Sequence, residues 1–260
     1  MSKHLLRVGG ATAVLALVFA TVAAADLGGN KKVWCAGNIC ITDDGGIAPS
    51  KLPRRGKAPI TARLYGEVET RDGTHPPALQ SLDLDIDKTI AIDAVGLPTC
   101  KYGQLKARTS AAAKNACGDA IVGSGKTEVE VAFPEQTPFR ATGPLVLFNG
   151  GAKGGTTTLF LHAYVNVPAP TAVIVEATVT RVNRGRYGLH ISAEIPKIAG
   201  GAGSATMFEL RVGRKYTHKG KQKSFLTAGC PTGSWVTSGN ARFVDGTKLS
   251  ITHPFSCTPK

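Results

Sequence analysis

The chain has 260 residues, 42% of them hydrophobic but only 6% aromatic, and 31 Lys and Arg against 18 Asp and Glu give a net charge of +13. That length supports one large domain or two small ones, and the apolar content excludes an intrinsically disordered chain. Few rings and many Ala, Gly, Val and Thr favour thin strands packed through small and β-branched side chains. The basic excess suits anionic partners such as acidic glycans, envelope polymers or lipid headgroups.

Residues 1–25 predict a signal peptide. Lys3, His4 and Arg7 precede an apolar run from Ala11 to Val22, and Ala23, Ala24 and Ala25 supply the small residues of a cleavage site before Asp26. The apolar run is shorter than the ~20 residues that span a bilayer core. No second apolar stretch of spanning length follows, so the mature form is expected without a transmembrane segment, secreted or associated with the cell envelope. In that compartment no nucleic-acid partner is expected.

Residues 26–57 are Gly- and Pro-rich and predict a looped head and linker, closed by Cys35 and Cys40. Residues 58–260 then read as a β-rich region. Ile60, Ala62, Leu64, Gly66 and Val68 share one face of a strand; in the next, Leu82, Leu84 and Ile86 alternate with Asp83, Asp85 and Asp87. The stretch Ala107 to Ala116 predicts the one short helix, capped by Thr109 or Ser110 and ended by Gly118. Further strand patterns run from Lys126 to Thr252, separated by turn residues at 167–170, 183–186, 200–203 and 245–246. Many short strands with few helices between them predict an all-β fold, an antiparallel sandwich or jelly roll. The pattern allows one sandwich or two stacked ones, with the seam near residues 100–123.

Six cysteines in an exported chain predict three disulfides. Loop economy pairs Cys35 with Cys40, Cys100 with Cys117 and Cys230 with Cys257; a metal site would need a second close Cys pair or His pair, and none occurs. The segment Ala120 to Thr127 (AIVGSGKT) resembles a phosphate loop, but a strand pattern follows it where a helix is required, so it reads as a Gly-rich turn leading into a strand. No nucleophile elbow occurs, and the five histidines outside the leader are isolated from one another. Nothing in the sequence calls for a cofactor.

Two surfaces remain. Asp83, Asp85 and Asp87, with Asp93 nearby, form an acidic row that would suit Ca²⁺ or an extracellular hydrolase acting on carbohydrate. Arg211, Arg214, Lys215, Lys219, Lys221 and Lys223 surround Tyr216 and His218 on a predicted hairpin, a basic finger suited to phosphates or carboxylates. A second basic turn carries Arg181, Arg184 and Arg186. The leading expectation is a non-enzymatic binding or structural protein whose basic surface meets an anionic partner.

The stretches LPTC (97–100), CGDAIVGSGK (117–126) and FELRVGRKYTHKGKQKSFLTAGCP (208–231) resemble a class of secreted β-rich proteins of high-GC Gram-positive bacteria. The resemblance implies export and a sandwich-like fold, and carries no activity or site residues with it.

Overall fold

The computed structural model describes residues 30–106, 108–166 and 169–260. The expected leader, Ala107 at the start of the expected helix, and Val167 and Pro168 of the expected turn lie outside this range. Strands β1 (Lys32–Ala36) and β2 (Ile39–Ala48) form a hairpin, followed by the short β3 (Lys51–Leu52) and β4 (Ala58–Pro59). Next come β5 (Thr61–Thr70), β6 (Leu79–Asp87) and β7 (Ile90–Ile92), then helices α1 (Tyr102–Leu105) and α2 (Ser110–Cys117). Five long strands follow: β8 (Ile121–Val131), β9 (Phe139–Lys153), β10 (Thr156–Val165), β11 (Thr171–Arg184) and β12 (Tyr187–Glu194). The chain ends through β13 (Gly203–Val212), β14 (Lys215–His218), β15 (Lys221–Ser224), β16 (Leu226–Ala228), β17 (Ser234–Phe243), β18 (Lys248–Ser256) and β19 (Thr258–Pro259).

Twelve of these strands build one antiparallel sheet in the order β1, β2, β5, β13, β8, β9, β10, β11, β12, β6, β17, β18. The fold is all-β, as the alternating patterns require, and its main layer is one continuous antiparallel sheet. That sheet curls until its two ends meet. Ile39 and Ile41 of β2 pack in one buried cluster with Ala241 and Phe243 of β17 and Leu249 and Ile251 of β18. Register shifts at Thr158/Leu159 and Ala205/Met207 add local bend and twist, the usual device for curling a long sheet.

The looped head and linker expected over 26–57 are corrected here. β2 pairs with β5 from Ile39↔Thr70 to Ala48↔Thr61, so this segment is an integral part of the sheet. Its glycines hide the strand pattern, and its register comes from a distant partner rather than from local propensity. The glycine-rich stretch at 120–127 is also strand rather than turn. A Cβ at Gly125 would lie far inside contact distance of the Glu209 carbonyl oxygen on β13, so only glycine permits this strand approach.

All three cysteine pairs are bonded as loop economy predicts. Cys35 and Cys40 face each other across the β1–β2 hairpin, and Cys230 ties the loop after β16 to Cys257 beyond β18. Cys100–Cys117 pins the helical segment. Thr109 caps α2 by accepting a hydrogen bond from the Ala112 N–H at 3.1 Å, and Gly118 ends it. This segment is no seam between domains: with Leu105 and Ala113 it covers the outer face of the sheet at Val146, Phe148, Phe160 and Ile174. Helix α1 was not expected, because Gly103 weakens its pattern; the Gln104 side chain accepts from the Lys101 N–H and holds its first turn.

Candidate functional site: an apolar lumen inside the curled sheet

Side chains alternate across the sheet, so each strand sends half of its apolar residues inward. Leu82, Leu84 and Ile86 of β6, Leu159 and Leu161 of β10, Val175 and Ala177 of β11, and Leu189, Ile191 and Ala193 of β12 converge on one interior space. Phe208, Leu210 and Val212 of β13 face them from the other wall. Leu159, Ala177, Leu189, Leu210 and Val212 belong to one buried cluster, with Ile86, Leu161, Ile191 and Phe208 packed against it, yet the walls do not close completely. They surround a cavity of about 1180 Å³, and Leu84, Ile86, Leu161 and Ile191 stay only half-buried although they point inward.

One end of the lumen is plugged. β4, β16 and β7 form a small sheet that places Phe225 and Leu226 over it, backed by Leu52, Ile60 and Leu97. Trp235 lies in the wall, 2% exposed, its indole N–H donating to the Gly229 carbonyl at 2.8 Å. Ile195 and Ile198 line the lumen beyond β12, where Ile198 packs with Val129 and Val165. Polar residues gather elsewhere, at a rim formed by Asn30, Ser50, Lys51, Arg63 and Ser256 beside Gly45 and Gly46.

The acidic row lies on the opposite, outer face, with His190, Arg184 and Arg186 beside it. Asp85 accepts from His190 at 2.9 Å and lies 3.8 Å from Arg184, while Asp83 lies 3.7 Å from His190. Asp87 is bound by Arg186 at 3.1 Å and by the Thr89 N–H at 3.0 Å. Burial pushes the Asp87 carboxyl up, but these hydrogen bonds outweigh it and hold the group below the usual carboxylate range. Asp93 does not join the row: it binds Lys223 at 2.9 Å, and burial is again outweighed, so its carboxyl is also held low. Among the described residues no cluster of His, Cys, Asp and Glu is arranged to hold a metal ion.

The basic hairpin forms as predicted from β14 and β15, with Lys219 at φ 51° and Gly220 at φ 72° in its turn. Of the six cations expected there, Arg211 lies instead on β13 of the main sheet, and the six divide into two sets. Arg214 donates to the carbonyls of Gly118, Asp119 and Ile121, fastening the hairpin to the end of α2, and Lys223 is paired with Asp93. Arg211, Lys215, Lys219 and Lys221 remain exposed. Tyr216, whose hydroxyl reaches the carbonyls of Asp93 and Val95, is pushed up to about 12, first by burial and then by the Asp93 charge.

The structure also assembles a Ser–His–Glu cluster that the sequence does not reveal, because its members are 55 and 129 residues apart. Ser204 Oγ lies 3.2 Å from His75 Nε2, and His75 Nδ1 lies 2.9 Å from Glu130. A general base must accept the hydroxyl proton. The Ser204 hydroxyl also contacts the Pro76 carbonyl at 2.6 Å, which competes for its proton, and Ser204 is 2% exposed. The cluster fastens the loop after β5 to β13 and β8.

Among the described residues no helix is long and apolar enough to cross a membrane. No family model, no curated protein and no solved structure matches the chain.

Proposed function

We propose that this chain is an exported, non-enzymatic binding protein that holds an apolar small molecule in the lumen of its curled sheet. The observation that carries this reading is the lumen itself: about 1180 Å³ walled by Leu, Ile, Val, Ala and Phe. Ligand sites usually measure roughly 300–1,000 Å³ and are mostly apolar.

The test is titration of the purified mature protein with an environment-sensitive apolar dye. Saturable one-to-one enhancement, reversed by an aliphatic competitor, is expected. Absence of saturable binding rejects the reading.

The exposed cations of the hairpin supply the second half of the proposal, contact with an anionic envelope component. Reversing Lys215, Lys219 and Lys221 to Glu is expected to weaken co-sedimentation with anionic vesicles, which in the wild type falls as salt rises. Lys223 is left intact because it holds Asp93. Vesicle binding unchanged by the triple substitution rejects this role.

A further inference from the structure

The mouth of the lumen follows from how the sheet closes. Among the described residues, β1 covers the outer edge of β2 only from Ile39 to Asp43, and no described strand lies on that side of Asp44 to Ala48. β18 is the edge strand at the other end of the sheet. Side chains alone join the two ends there: His253 Nδ1 lies 2.6 Å from Asp43, Asn30 Nδ2 donates to the Pro254 carbonyl at 3.5 Å, and a Cβ at Gly45 would meet the Phe255 ring at 3.2 Å. The backbone ladder resumes just beyond, where β3 pairs with β19 and the Thr258 N–H donates to the Ser50 carbonyl at 2.9 Å. Gly45, Gly46, Phe255 and Ser256 all line the lumen, so the seam opens into it.

Acidic groups at the seam, Asp43 and Asp44, are engaged by His253 and Arg63. Lys51 and Arg63 are the charged residues lining the lumen, and no Asp or Glu lines it. Arg63 is already satisfied, held by Asp44 at 2.8 Å and Glu209 at 3.2 Å, and the Asp44 hydrogen bond above all raises its pKa. Lys51 is exposed and makes no ion pair among the described residues. Resting on the reading of the lumen as a ligand site, we infer that its ligand is an acyl amphiphile with an anionic head: the chain lies along the apolar walls and the head stays at the seam against Lys51.

Trp235 in the lumen wall provides the reporter. With Trp34→Phe, the other tryptophan is removed, and a bromine-labelled long-chain carboxylate should quench Trp235 saturably. Lys51→Glu should weaken carboxylate binding at least tenfold and change binding of the matching bromo-alcohol less than twofold. Lys153→Glu, exposed at the β9–β10 turn, should alter neither. Competition by lysophosphatidate and by free fatty acid, compared at equal chain length, tells a phosphate head from a carboxylate head. Equal binding of carboxylate and alcohol, both indifferent to Lys51→Glu, overturns the head-group inference while the lumen reading stands. Failure of both probes to quench overturns the lumen reading itself.

Discussion

Replacing Ala177 by Leu separates a lumen built to be filled from a core that is already packed. Ala177 is 4% exposed, borders the lumen, and is flanked in register by Leu159 on β10 and by another alanine, Ala193, on β12. Leu adds three carbons, and at ~0.8 kcal/mol per buried methylene the ligand-free protein should gain about 2 kcal/mol. For a domain of this size that raises Tm by roughly 4–8 °C. Dye affinity should fall together with the free volume. Ala113 on α2 is the internal control: it is 0% exposed and wedged against the outer face of the sheet, so Ala113→Leu should cost about 1–3 kcal/mol by overpacking. Two buried alanines thus receive opposite signs. Calorimetric melts of both variants, paired with dye titration, decide the matter. If Ala177→Leu also destabilises by 1–3 kcal/mol and leaves dye binding intact, the space beside Ala177 is not a usable cavity and the reasoning fails.

Ser204→Ala should leave the Pro76 carbonyl and His75 Nε2 without their partner, lowering stability by about 1–3 kcal/mol in urea unfolding. A panel of ester substrates should show no turnover by either form; turnover lost on substitution would make Ser204 a nucleophile after all. Replacing Cys230 and Cys257 together by Ala opens a loop with a sequence separation of 27 and should cost about 3.5 kcal/mol, read from the denaturant midpoint at constant slope. His162 is 0% exposed, and burial lowers its pKa although the Arg108 carbonyl opposes this. Its neutral form is therefore favoured by folding, so its contribution to stability is present above the unfolded value of about 6.5 and is lost as pH falls through and below it. The imidazole carbon shifts of His162 followed by NMR should titrate below that of free histidine; a higher midpoint contradicts the burial argument.

Much of the local structure is legible in the sequence because its causes are local. The alternation of Leu82, Leu84 and Ile86 with three aspartates sets two faces whatever lies beside them. Lys219–Gly220 and Asp245–Gly246 make their own turns, and Thr109 caps its own helix. The three disulfides follow from loop closure between neighbours in the chain. The tertiary structure decides the rest, because it depends on residues far apart. β2 is a strand because β5 pairs with it, despite Gly45 and Gly46. Asp85 and Asp87 are paired because the β11–β12 turn brings Arg184 and Arg186 beside them, and Arg214 and Lys223 are engaged because the carbonyls after α2 and Asp93 bind them. Periodicity assigns an inner face to each strand, but whether twelve inner faces touch or enclose space is set by the curl of the whole sheet, and the seam at its ends exists only because β1 stops where β2 goes on.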